Sequence, residues 1–327
     1  ESGFGMRFSV SYDPNKYWNT GISYYRFDDD LNINDMGYQA RNNLSRLRTF
    51  TRYTQTDFPQ TSKILAREYR LSFSKKTDTH GLQLSQRAEL EFKQTFKNTS
   101  GFEIEFEQSS SGNNDLLTRG SALAPFVKFG QGRQFELTYS GRQNERWSYW
   151  THLERQRHSY QSFTTSSNVI ALGGNYYPSD DLKFGIHLAK ANTKNWRNWL
   201  GDNRIGVYPL DYFSIRANAT WFPKEKHELR IKFQTTVMEA ETGVEWLADI
   251  TGNLNFTNTS ATGFDLGQLA FQIRYKYEIS PLSHFYAVYT RGGRHYEDED
   301  VSVSEIIRGT WDNPKEDRFT LKLRVKF

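Results

Sequence analysis

The stretch RFTLKLRVKF, residues 318–327, decides the fold. Phe319, Leu321, Leu323, Val325 and Phe327 alternate with Thr320, Lys322, Arg324 and Lys326. Successive side chains of a β-strand point to opposite faces, so the apolar set occupies one face and the basic set the other. A strand of this kind needs an apolar medium on one side and water on the other.

The same alternation runs through the chain. In 264–279, Phe271, Ile273 and Tyr275 oppose Arg274 and Lys276. In 212–222, Phe213, Ile215, Ala217, Ala219 and Trp221 oppose Ser214, Arg216, Asn218 and Thr220, and in 229–234 Arg230 and Lys232 oppose Leu229, Ile231 and Phe233. No segment has convincing helical periodicity. Fifteen strands are expected, at about 3–12, 17–27, 44–57, 63–75, 81–96, 101–109, 134–143, 146–159, 166–177, 182–193, 209–222, 227–240, 264–279, 284–294 and 317–327. Short turns at 13–16, 142–145, 178–181, 222–226 and 280–283 alternate with long polar segments at 28–43, 110–133, 194–208, 241–263 and 295–316. Short turns at one end and long loops at the other are the habit of outer-membrane barrels.

Composition excludes several other classes. Aromatic residues make up 16% of the 327 residues, and the chain has no cysteine, hence no disulfide framework, thiolate metal site or thiol nucleophile. Forty-two Lys and Arg against 38 Asp and Glu is too balanced for a nucleic-acid partner. Mean hydropathy is −0.77 and no apolar run could form a membrane-spanning helix. A barrel strand needs only about 9–11 residues with every second one apolar, so low hydropathy is compatible with a membrane barrel. A soluble sandwich would bury the other face, and interior Arg, Lys and Glu at this density cannot be tolerated in a dry core.

These patterns predict an all-β, transmembrane antiparallel β-barrel occupying 1–327 as a single domain in the bacterial outer membrane. Lumen-facing candidates are Arg46, Arg48, Arg52, Arg216, Arg230, Arg274, Lys276, Lys322 and Arg324. Lipid-facing candidates are Phe271, Ile273, Tyr275, Phe319, Leu321, Leu323 and Phe327. Acidic candidates in the outer loops are Asp28, Asp29, Asp30, Glu297, Asp298, Glu299 and Asp300, oxygen-rich groups suited to Ca2+ or to ions bridging lipopolysaccharide, although neither group has the D-x-D-x-D-G spacing. The basic lining could attract anions, or could pair with Glu68, Glu89, Glu91 and Glu278 and stiffen the wall.

Strand parity raises one further expectation. With fifteen strands the first and last run the same way, and an antiparallel barrel cannot close between them, so either the count is off by one or additional strands lie upstream.

Three phrases carry a resemblance: LNINDMGYQARNNL (31–44), LLTRGSALAPF (116–126) and QIRYKYEISPLSHFYAVYTRGG (272–293). In order and spacing the chain resembles the carboxy-terminal outer-membrane β-barrel region of an uncharacterised family of bacterial surface proteins that carry a family-9-like carbohydrate-binding domain at the amino terminus. Gln39, Ala40, Ser121 and Ala122 depart from that pattern. The resemblance implies an upstream carbohydrate-binding domain and upstream strands, and supplies no reaction.

The seven histidines lack metal-ligand spacing, and no nucleotide-binding or haem-attachment motif is present. The expected function is that of a non-enzymatic conduit or membrane platform without a cofactor. Its partners would be outer-membrane lipid, lipopolysaccharide and periplasmic or surface proteins. The competing readings are a surface carbohydrate-processing or hydrolytic enzyme and a sheath around a periplasmic electron-transfer partner.

Overall fold

The computed structural model describes residues 3–31, 41–118, 121–144, 146–297 and 301–326. The strands are β1 (Gly5–Tyr12), β2 (Trp18–Phe27), β3 (Leu44–Gln55), β4 (Ile64–Thr77), β5 (Gln83–Phe96), β6 (Gly101–Ser109), β7 (Gly112–Asn114), β8 (Val127–Phe129), β9 (Gly132–Asn144) and β10 (Trp147–Ser159). They continue as β11 (Thr164–Ser179), β12 (Leu182–Gly201), β13 (Arg204–Lys224), β14 (His227–Ala240), β15 (Gly243–Ala248), β16 (Leu254–Ala261), β17 (Phe264–Ser280), β18 (Ser283–Glu297) and β19 (Pro314–Arg324), with helix α1 (Val303–Asp312) before the last.

Seventeen strands form one antiparallel sheet, and β7 with β8 forms a separate two-stranded ribbon. The wall is a meander in chain order. It runs from β1 through β6, then β9 to β14, then β17 to β19, each strand pairing with the next. The hairpin of β15 and β16 attaches to the upper part of β13, beyond the point where β14 passes directly to β17. Fifteen strands therefore make the wall, each overlapping one of the fifteen expected segments.

An antiparallel sheet of this width cannot stay flat, because strand twist accumulates and makes it curl. Among the described residues α1 packs against β17 and β18, and no second layer covers most of the sheet. Phe8, Phe73, Leu90, Ile186, Phe319 and Leu323 are all exposed along the apolar face of the wall. Contiguous apolar surface on that scale marks contact with a membrane or a partner. The fold is that of an outer-membrane-type β-barrel wall, with one apolar and one polar face.

At the short-turn end the apolar face carries a chain of aromatic rings. Trp18 lies 5.0 Å from Tyr53, which is 6.4 Å from Tyr69; Tyr69 is 4.9 Å from Phe92, and Phe92 is 5.6 Å from Phe102. Tyr139 with Tyr149, and Trp147 stacked at 4.1 Å on Tyr176, extend it. A ring with an apolar body and a polar tip suits headgroup depth, and each of these aromatics sits near a strand end.

Several expected loops are corrected by the structure. Segment 194–208 is not a loop: β12 and β13 run through it and turn at Asp202 and Asn203, with Gly201 and Asp202 at positive φ. A register shift between Thr193 and Trp196 interrupts the alternation there, which hid the hairpin from a period-two reading. Segment 241–263 holds β15 and β16, and 110–133 holds β7 and β8. Segment 295–316 contains α1, contrary to the expectation of no helix. Its start was written in the sequence as a capping box, the Ser302 side chain bonding the Glu305 amide while the Glu305 side chain bonds the Ser302 amide.

The buried apolar core lies mostly beyond the wall, at the long-loop end. Ala124, Val127, Ile205 and Ala248 have no exposure and pack with Val207, Leu254, Phe163 and Trp246. This cluster joins the β6–β9 and β10–β11 connections to the top of β13 and to β15. Polar ties reinforce it: Ser121 Oγ donates to the Asp202 carbonyl (2.7 Å), the Lys128 amide to the Gly252 carbonyl (2.8 Å), and Gln161 Nε2 to Asn253 Oδ1 (2.8 Å). The Arg41 guanidinium reaches across to Asp115 with two hydrogen bonds of 2.6 and 2.5 Å. The described parts of these connections thus brace one another above the wall.

Candidate functional site

The polar face is the candidate site, and the ladder fixes its composition. Because registers align residues directly across strands, one transverse row reads Asn19, Arg52, Arg70, Glu91, Glu105, Glu136, Glu154 from β2 to β10. The charges are segregated: Arg and Lys gather on β3 and β4, and carboxylates run from β5 to β10. Like charges directly opposite one another destabilise a ladder. Four consecutive glutamates therefore signal a face in contact with water, which screens them, rather than a packed interior.

Where the two regions meet, ions pair. Arg48 Nη2 lies 3.2 Å from Glu89 Oε1 and 3.3 Å from Ser72 Oγ, bridging over β4. Arg70 reaches Glu91 at 3.8 Å while its guanidinium sits over the Phe50 ring at 5.3 Å. Arg87 binds Glu107 at 2.6 Å, and Lys93 binds Glu103 at 3.3 Å. On the other side of the wall Arg230 and Arg274 are directly opposed, and both contact Glu228, Arg274 at 3.0 Å. Glu228 answers two like charges that would otherwise repel.

All nine basic candidates fall on this polar face. Arg46, Arg48 and Arg52 are gathered beside β4 and β5, and Arg230 and Arg274 share Glu228, with Lys276 directly opposite that residue. Arg216 lies two strands from Arg274, facing Gln234. Lys322 and Arg324 stand apart on β19, opposite Tyr286 and His284, with no acid across from them. Phe271, Ile273, Tyr275, Phe319, Leu321 and Leu323 share the opposite face; Phe327 lies outside the described residues.

Among the described residues the acidic loop candidates form no common cluster. Asp28 accepts hydrogen bonds from the amides of Phe4 (2.7 Å) and Leu31 (2.9 Å), so it works as a loop brace. Asp29 accepts from Thr79 Oγ1 (2.8 Å) and lies 2.9 Å from His80 Nε2. These hydrogen bonds hold its carboxyl below the ordinary value, and the His80 imidazole is raised by the same contact. Asp30 makes no such contact among the described residues. Glu297 lies 2.7 Å from His295, and Asp298, Glu299 and Asp300 fall outside the described residues.

Two features escaped the sequence reading. Carboxylate oxygens of Glu89, Glu105 and Glu107 lie within 4.8 Å of one another, close enough to share a cation, although Arg48 and Arg87 already hold two of them. Glu103, Glu105 and Glu107 alternate visibly in the sequence, but only the register brings Glu89 to them. The second feature is a cavity of about 460 Å3 at the long-loop end, lined by Trp196, Tyr208, Phe264, Tyr296, Arg204 and Arg294. Arg204 lies 3.6 Å from Glu245 at its rim. Trp196, Arg204, Tyr208 and Tyr296 come from segments expected to be loops and Phe264 and Arg294 from the ends of expected strands, so no pattern within one segment announced it.

A family model described as a domain of unknown function (DUF5916) matches residues 1–325. No match was found among curated proteins. Among solved structures, the FrpB iron transporter from Neisseria meningitidis (F3-3 variant) is similar at 9% identity and a TM-score of 0.44, over 92% of this chain and 62% of that one; this chain spans less than two thirds of it. A bacterial polysaccharide outer membrane secretin is similar at 10% identity and a TM-score of 0.40, over 89% of this chain and 86% of that one. An anion-selective porin from Comamonas acidovorans is similar at 11% identity and a TM-score of 0.34, over 90% of each chain.

Proposed function

We propose that this chain, which belongs to the DUF5916 family, is a non-enzymatic outer-membrane β-barrel that serves as a conduit or as the membrane platform of a surface or periplasmic assembly. One observation carries the reading: a fifteen-stranded wall keeps one face apolar and lines the other with paired and unpaired charge from β2 to β19. In this account the apolar face, with Phe271, Ile273, Tyr275, Phe319, Leu321 and Leu323, meets acyl chains. The polar face, with Arg46, Arg48, Arg52, Arg216, Arg230, Arg274, Lys276, Lys322 and Arg324, lines a water-filled lumen. The bracing among the described connections at the long-loop end favours the platform role, since a braced surface offers fixed contacts to a partner or to an upstream carbohydrate-binding domain.

The test is conductance of the protein, isolated from its native membrane, in planar bilayers. The row of glutamates predicts that Glu105→Gln with Glu136→Gln shifts the reversal potential toward anion preference, because fixed lumenal charge sets counter-ion concentration. A protein that carries no current, or whose selectivity ignores both substitutions, contradicts the conduit.

A further inference from the structure

Among the described residues the wall does not close on itself. Each strand from β1 to β19 pairs with its neighbour, yet β1 and β19 are joined to each other by no ladder, and both are described along their whole length. All eight residues of β1 are exposed, and so are ten of the eleven in β19, whichever face they point to. Mid-wall residues such as Phe271 and Ile273 are half-buried by neighbours on both sides, whereas Phe8, Phe319 and Leu323 lack a neighbour on one side. Each edge thus presents a row of unpaired backbone N–H and C=O groups. In hydrocarbon every such group costs several kcal/mol, and open sheet edges do not occur there.

The wall geometry says what fits the gap. β1, β3, β5, β9, β11, β13, β17 and β19 all run toward the short-turn end, so the two edges are parallel. An antiparallel insert must contain an odd number of strands, which brings the total to the even count usual in bacterial barrels. A second copy of this chain, inserted the same way, would bring β19 against another β1 running in the same direction and would leave the parity unsolved. Charge adds a second requirement. The polar face of the two edges carries Arg7 on β1 and Arg318, Lys322 and Arg324 on β19, and of these, among the described residues, only Arg318 is ion-paired with an acid, Glu316 of its own strand at 3.5 Å. Elsewhere in the wall Arg48, Arg70, Arg87 and Lys93 find glutamates on a neighbouring or next-but-one strand.

We infer that the gap between β1 and β19 is filled by an odd number of antiparallel strands of the same polypeptide, from the segment leading into Gly3, and that these strands set Asp or Glu against Lys322 and Arg324 on the polar face. β1 begins at the long-loop end, so a strand joined to it by an outer loop rises from the short-turn end, antiparallel to β1 as the ladder needs. This inference rests on the membrane-barrel reading and adds the identity of the missing wall.

The experiment places a photoreactive benzophenone amino acid at Leu321 in one variant and at Phe8 in another, in the intact polypeptide in its native outer membrane, and maps the crosslinks by mass spectrometry. Directly opposed side chains of adjacent strands stand about 5 Å apart, within reach of the probe. The expected products join each site to residues ahead of Gly3 of the same polypeptide. Crosslinks between Phe8 and β19, crosslinks to another protein or a second copy, or the absence of any protein crosslink would overturn the inference. Direct closure of β1 on β19 would do so while leaving the conduit intact, whose own failure shows in the conductance measurement.

Discussion

At the scale of single residues, the chemistry is decided by which partner the fold brings near. Asp29 and His80 are far apart in sequence, yet they tie the loop after β2 to the turn after β4. The raised imidazole contributes its charge at pH values below its ordinary range, and that contribution is lost as pH rises through the raised value. The lowered carboxylate contributes above its ordinary range and is lost as pH falls through the lowered value. The tie is therefore fullest between the two. Proteolytic nicking of the loop after β2 is expected to rise on either side of that window, and His80→Ala should flatten the upper limb. An unchanged upper limb in that variant would show that another group controls it.

At the scale of elements, the close approach of α1 to the wall shows how much of this fold is local and how much is not. Ile306 and Thr310 are fully buried against β17 and β18, where a Cβ on Gly267 would sit 2.6 Å from the Ile306 side chain and 2.3 Å from Thr310 Oγ1. Gly267→Ala is expected to destabilise this docking by about 1–3 kcal/mol, the usual cost of overpacking. Faster amide exchange in α1, with β17 exchange unchanged, would report it; unaltered exchange in α1 would contradict the assigned contact. The strands of the wall were legible because a sheet with one apolar and one polar face enforces period two, as in Phe319 to Leu323 and Phe271 to Tyr275. Above that zone the constraint lapses. β12 and β13 continue through the shift at Thr193 and Trp196 without alternation, and β15 and β16 bury Trp246 and Ala248 against residues distant in the chain. The glutamate row and the mouth cavity stayed hidden for the same reason, since they depend on register between strands rather than on spacing within one.

At the scale of the whole molecule, a single sheet separates two environments, and its stability depends on each face meeting the right one. The polar face tolerates directly opposed Arg230 and Arg274, and four neighbouring glutamates, only while water or counter-charge screens them. The aromatic chain from Trp18 to Phe102 sets one boundary of the apolar belt. The chain has no cysteine, so single cysteines can be introduced along β17 without background. The most direct test is a nitroxide scan of residues 270–277 in the membrane-embedded protein, comparing collisions with oxygen, which concentrates in lipid, against those with a water-soluble nickel chelate. Oxygen access is expected to peak at 271, 273, 275 and 277 and nickel access at 270, 272, 274 and 276. Peaks in phase with one another, or with the two sets exchanged, would contradict it.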